Sequence, residues 1–203
     1  MNKSQLKTYA PKARRDFIQM VRQRADVLGL TKAEIAKPEV QGDFAIVEGR
    51  PYPRRYAELH TRLAKKIEVE GLDQFLDRVA YSWFNRFAAL RFMEVKGYLS
   101  HPFRVLSNRD AAKSEPEILE HAAEVTLAGL DKSKVVELKL AGNKDAELFK
   151  MLLIAQCNEL HAAMPFLFER INDETEILLS DNLLHTDSVI RKMVSDIDEE
   201  NWK

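Results

Sequence analysis

Residues 72–97 read LDQFLDRVAYSWFNRFAALRFMEVKG. Leu72, Leu76, Val79, Trp83 and Phe87 recur at helical spacing and form one apolar stripe. Phe75, Phe84, Ala88, Phe92 and Val95 widen it, leaving a narrow polar strip near Gln74, Arg78, Ser82 and Asn85. A helix apolar on most of its circumference is buried by its neighbours. This segment is therefore expected to be the central helix of a mainly α fold.

The flanks agree. Upstream, RRYAELHTRLAKKIEVEG places Tyr56, Leu59, Leu63 and Ile67 on one stripe, and Gly71 stops it. Pro11 opens KARRDFIQMVRQRADVLG, with Pro at a first helical position and Gly29 past the last. Thr31 and Glu34 form a capping-box pattern before a short helical turn that Pro38 ends. Residues 42–53, GDFAIVEGRPYP, break the pattern: Phe44–Val47 is a short apolar run between Gly42 and Gly49, a strand or an ordered loop. Downstream, Phe103, Val105 and Leu106 pin an irregular stretch, and Pro116 opens an acidic helix with Glu117, Glu120 and Glu124. Residues 129–144 read as a connection. A second buried helix runs from about Asp145 to Met164, with Leu148, Leu152, Ala155 and Leu160 inside, until Pro165. A turn and short helix follow at 172–184, and Asp187 or Ser188 caps a last helix, VIRKMVSDI. The expected fold is an irregular multi-helix bundle with at most a short strand pair near residues 43–48. It is read as one domain over 1–203, with a Pro/Gly break at 38–53 and the connection near 129–144.

Composition bounds the function. The chain has 203 residues and 45% apolar content, enough for a sizeable core. Its longest apolar run, Met151–Ala155, is far below the roughly 20 residues of a membrane span. The N-terminus carries no secretory signal, and a single cysteine excludes a disulfide framework. A cytoplasmic protein is expected. Net charge is −1, but unevenly spread. Residues 1–24 hold seven bases against Asp16, and residues 50–66 six bases against Glu58. Residues 171–200 hold nine acids against Arg191 and Lys192. Either one end meets an anionic partner, or the two ends pair with each other or are solvated.

Catalytic motifs are missing. The seven glycines are scattered singly, so there is no dinucleotide fingerprint and no P-loop. There is no HExxH, no Gly-x-Ser-x-Gly and no Asn/Asp-Pro-Pro-Tyr loop. Cys157 and His161 share a helix face at i,i+4, but zinc needs about four ligands, or three plus water. An inert buried thiol and a satisfied histidine are the favoured reading. Arg86 and Arg91 in the aromatic helix either reach a partner or, the favoured reading, snorkel or pair with acids such as Asp77 and Glu94. Arg14 and Arg15 follow Pro11, and Arg54 and Arg55 follow Pro53. At helix starts the dipole prefers acids, whereas free amides plus arginines suit a phosphate. These four are the candidate DNA-backbone contacts; the alternative is solvation or ion pairing. No residue is assigned to catalysis, a cofactor or a metal.

Four strings carry a family resemblance: YAPKARRDFI near the start, AYSWFNRFAALRFMEVKGYL at 80–99, LLIAQCNEL at 152–160 and MPFLFERINDETEILLSDNLL at 164–184. Together they resemble the N-terminal region of PglX, the adenine-specific DNA methyltransferases of bacterial BREX phage-defence systems, over almost the whole chain. The resemblance implies a longer parent that uses S-adenosylmethionine to methylate adenine N6 in double-stranded DNA. Its methyltransferase core lies downstream and is absent from this chain, so none of its catalytic residues carries over. The segment alone is expected to be inactive, supporting DNA contact, packing on the core or docking of other BREX proteins. Trp202, one residue from the end, is read the same way, as an expectation that the natural chain continues. The competing readings are a free-standing helical protein-interaction module with no nucleic-acid role and, less favoured, a small independent enzyme.

Overall fold

The computed structural model describes residues 3–166, 168 and 174–202. It is mainly α, as expected. The helices are α1 (Lys3–Val27), α2 (Arg55–Glu70), α3 (Leu72–Lys96), α4 (Glu117–Glu120), α5 (Lys132–Ala141), α6 (Asp145–Ala163) and α7 (Val189–Asp196). Short 3-10 turns cover Glu174–Leu178 and Glu199–Asn201. The apolar run at 44–47 is a strand, and it finds partners on both sides. Strands β1 (Glu39–Gln41), β2 (Phe44–Val47) and β3 (Arg50–Pro53) form an antiparallel sheet in that order.

The chain forms two compact units. One comprises Met1–Ala13, Phe84–Arg170 and Asp181–Lys203; the other comprises Arg14–Trp83 and Ile171–Ser180. Helices α1 and α3 contribute to both. In the second unit Phe17, Leu28, Leu63, Phe75, Leu76 and Trp83 are buried, with Ala45 and Val47 from the sheet. In the first, Phe87, Leu90, Leu106, Leu148, Phe149 and Leu152 are buried, joined by Ile190 and Met193 of α7.

Several local readings need correction. Pro11 does not open α1; it lies inside a helix that starts at Lys3. The ring costs the backbone one hydrogen bond, but the helix continues. Residues 31–37 form no helical turn. Gly29 ends α1, and Pro38 steers Lys37 away from the α region, so too few residues remain to nucleate a helix. Instead Leu30 bridges Ile35, and the Thr31 hydroxyl donates to the Glu34 carbonyl at 2.8 Å. Glycine is required at 29: φ is +65°, and a Cβ there would meet Ala36 Cβ at 2.5 Å. The stretch 129–144 is not only a connection, since α5 occupies its middle, capped by the Asp131 side chain on the Lys134 amide and ended by Gly142. The acidic helix after Pro116 stops at Glu120, leaving Glu124 outside it. The first residues of the expected turn at 172–184, and part of the fourth resemblance string, lie outside the described residues. The last helix is capped by Ser188, as one of the two candidates.

The sheet joins its strands by two-residue turns, Gly42–Asp43 and Glu48–Gly49. Glu48 and Gly49 both take positive φ, +48° and +71°, the geometry that matches strand twist in tight hairpins. Ile46 pairs Pro51 and Phe44 pairs Pro53. Proline has no N–H, so these are the non-hydrogen-bonded pairs, and the free edge of β3 offers no donor at either position.

Candidate nucleic-acid interface

The four candidate arginines all belong to the second unit. Because α1 begins at Lys3, Arg14 and Arg15 sit in mid-helix, where backbone amides are already bonded. The helix-start argument therefore survives only for Arg54 and Arg55. Arg14 is largely exposed and lies 3.7 Å from Asp77. Eight residues on, Arg22 contacts Asp73 at 2.7 Å, and Lys32 pairs with the same carboxylate. Arg14–Asp77 and Arg22–Asp73 are thus two rungs between α1 and the start of α3. The two cations hold the Asp73 carboxyl below its ordinary range, chiefly through hydrogen bonds. Arg15 is exposed.

At the start of α2, Arg54 donates from Nη1 to the Gly42 carbonyl at 3.0 Å, and its amide donates to Asp43 O at 3.0 Å. Arg54 ties the helix start to the β1–β2 turn. Arg55 donates to Glu176 Oε1 at 2.8 Å. Lys66, three turns along α2, pairs with Glu174. Both glutamates are buried at 3% and 8% exposure, so the pairing removes carboxylates that would otherwise face desolvation unpaired. Arg24 completes the arrangement. Its Nε donates to Ile177 O at 3.0 Å, and its guanidinium lies 5.5 Å from the Tyr52 ring. Tyr52 stacks on Tyr56 at 4.9 Å. The acidic segment Glu174–Leu178 is thereby laid on the basic residues of α1 and α2. The uneven charge of the sequence is compensated internally here, and again in the first unit, where Lys12 meets Asp196 at 2.5 Å and Gln5 meets Asp198 at 3.2 Å.

Arg24 is the α1 residue that reaches Tyr52, and it lies ten positions beyond Arg14. Ten helical residues rise about 15 Å, so the two arginine pairs form two small clusters rather than one. The Cys157–His161 pair does not meet as a site. Cys157 is fully buried, which pushes its thiol up to about 12, while His161 Nδ1 faces the Phe168 carbonyl at 2.6 Å. Among the described residues no three His, Cys, Asp or Glu side chains are grouped to hold a metal. An open groove of about 520 Å³ runs past Lys32, Ile35, Ile67, Leu72 and Asp73.

Sequence reading missed His60. It is 1% exposed, and its Nε2 lies 2.7 Å from the Leu28 carbonyl, so it donates there. Burial lowers its proton affinity more than that bond raises it. The unfolded chain protonates this imidazole near 6.5 and the folded chain only at lower pH. Stability is therefore complete above about pH 6.5 and falls as pH drops through that value, by at most about 1.4 kcal/mol per unit. Comparing melting at pH 7 and pH 5 for the wild type and for His60→Leu checks this. The wild type should show the steeper loss; equal losses would dismiss His60 as the source.

No family model matches the chain. The chain is 43% identical over 210 residues to the adenine-specific methyltransferase BrxX of Escherichia coli O9:H4 (strain HS), covering 100% of this chain and 17% of that protein. It matches the N-terminal part of PglX-type adenine-specific methyltransferases. A second relative, PglX of Lacticaseibacillus casei (strain Zhang), is 33% identical over 221 residues, 100% of this chain and 18% of PglX. The chain thus spans less than a fifth of the length of the curated relatives it matches. Three of the four strings that carry the resemblance fall largely on α1, α3 and α6, and the fourth follows α6. Those helices supply Phe17, Trp83, Phe87 and Leu152 to the buried set.

Proposed function

We propose that residues 1–203 act as one non-catalytic N-terminal module of an adenine-specific DNA methyltransferase in BREX phage defence, packing on the downstream methyltransferase core and docking other BREX proteins. The match along the whole of this chain to a part of BrxX and of PglX carries this reading. S-adenosylmethionine, the methyl donor of such an enzyme, does not fit the residues present. Ligands of open α/β sheets bind outside the carboxyl ends of parallel strands, and the sheet here is antiparallel with strands of three and four residues. The cofactor belongs to the rest of the parent enzyme, which works on double-stranded DNA in the cytoplasm.

The test replaces the matching N-terminal segment of E. coli BrxX with residues 1–203. In cells lacking BrxX the chimera should restore adenine methylation, while BrxX without the segment should not. Unmethylated genomes with a soluble chimera would overturn the reading.

DNA contact is a narrower part of the proposal, favoured by the exposure of Arg15 and Arg54. Phosphate contacts position a protein without reading bases. Changing Arg14, Arg15, Arg54 and Arg55 to Ala in the chimera should weaken binding on all sequences alike. Each arginine that truly neutralises a phosphate adds about one unit to the log–log salt slope, and its removal takes that unit away. A drop of roughly one to two units is expected, since Arg14 and Arg55 already face carboxylates. Identical slopes would assign these arginines to folding alone.

A further inference from the structure

The second half of α3 is inverted. Arg86, Arg91 and Glu94 are buried at 2%, 2% and 3% exposure. On the other side Phe92 is 41% and Tyr98 63% exposed, and Ala88, Ala89, Met93 and Leu99 are half-buried. Across residues 85–99, all described, Lys96 is the one charged residue outside the buried class. In a chain with 31% charged residues, solvent-facing helix surface is ordinarily where the charges go. Here three charges face inward beside Phe87 and Leu90, and Phe92, Ala88 and Ala89 are left on the outer side.

We propose that this outer side of α3, centred on Phe92 and Tyr98, is the surface that receives the methyltransferase portion of the same polypeptide. The inference rests on the N-terminal-module reading above and gives that reading a location. Three features select the occupant. The face carries a single cation, Lys96, whose Nζ lies 5.9 Å from the Phe92 ring, too little charge to hold a phosphate polymer. It is small: specific interfaces between free partners use about 20–30 residues a side, and this face has fewer than half of that. A second, freely diffusing copy is therefore a poor occupant, whereas a covalently tethered one, held at an effective concentration near the millimolar range, needs only a small patch. BrxX and PglX supply such a tethered partner in length, since this chain covers only 17% and 18% of them. The chemistry of the face suits close docking. Ala88 and Ala89 let another backbone approach, and Phe92 and Tyr98 hold each other edge-to-face at 6.1 Å and 70°, a fixed pair of aromatic anchors.

The experiment uses the BrxX chimera with the photo-crosslinking residue p-benzoylphenylalanine at position 98, and at Val69, which is 91% exposed, as the comparison site. After irradiation, peptides joined to position 98 should come from the BrxX portion downstream, in a monomer-sized product, with none at position 69. Cross-links confined to residues 1–203, a product of twice the mass, or cross-linked DNA would each overturn the docking assignment. The two levels separate cleanly. A chimera that methylates DNA but yields no downstream cross-link sinks the docking surface alone. A soluble chimera that does not methylate sinks the module reading, and the docking surface with it.

Discussion

Replacing Trp83 by Ala should remove about 3–5 kcal/mol of stability. Trp83 is fully buried near the middle of α3. Truncation to a methyl group strips off its apolar transfer energy and leaves a cavity that a helix interior closes poorly. Small proteins have only about 5–15 kcal/mol in total, so the variant should lose a large share of its stability and melt about 6–20 °C early. Urea unfolding followed by circular dichroism measures it. The rival role for Trp83, a platform on which bases stack, predicts a fully folded variant with altered DNA binding; that result would reverse the assignment.

Glu94→Ala should be comparably damaging, for an electrostatic reason. The Glu94 side chain is completely enclosed, and that of Arg91 is 3% exposed. Arg91 Nη1 donates to Glu94 Oε1 at 2.7 Å and to Ser107 Oγ at 2.7 Å, and the Ser107 hydroxyl donates to Glu94 at 2.8 Å. The other carboxylate oxygen accepts the Leu106 amide at 2.7 Å. Glu94 thus fastens the irregular stretch after α3 while balancing a buried guanidinium. Removing Glu94 leaves the buried guanidinium with a longer carboxylate contact, to Glu199 at 3.6 Å, and breaking a buried pair typically costs about 3–5 kcal/mol. Replacing both, as Arg91→Met with Glu94→Leu, should recover much of the loss, because an apolar pair needs no counter-charge. A double variant no more stable than Glu94→Ala would mean that the Leu106 and Ser107 bonds, rather than the ion pair, carry the effect.

The helices were legible where their signals were local. Gly71 and Gly97 bracket α3, Pro165 ends α6 and Ser188 caps α7, each within a few residues of the element it bounds. In α6 spacing placed Leu148, Leu152, Ala155 and Leu160 inside, where they are, but left out Phe149, Leu153 and Gln156. Helix α5 was overlooked because Gly129, Gly142 and Asn143 flank it, and its sequence has little apolar asymmetry. The stripe Leu72, Leu76, Val79, Trp83 and Phe87 of α3 is buried as read, but the burial of Arg91 and Glu94 was illegible for a different reason. A helix apolar all round does not say which side the neighbours cover, and the groups that let Arg91 and Glu94 go inside lie 12–16 residues away in Leu106 and Ser107. The candidate interface suffered most. Arg55 finds its carboxylate 121 positions downstream, a distance at which spacing carries no signal, so paired and free arginines looked alike.

The second unit is interrupted in the chain, its last piece being Ile171–Ser180. A ribosome making this protein therefore releases the sheet and α2 roughly 100–120 residues before the last piece of their unit. At about 5–20 residues per second, the delay is on the order of 5–20 s. During that interval the surfaces destined for Ile177, Leu178 and Leu179 are bare, and Arg24, Arg55 and Lys66 wait without the acidic turn. Closure is then a long-range step of the slow kind. The nascent chain, more than the finished protein, is the form exposed to aggregation and to holding chaperones.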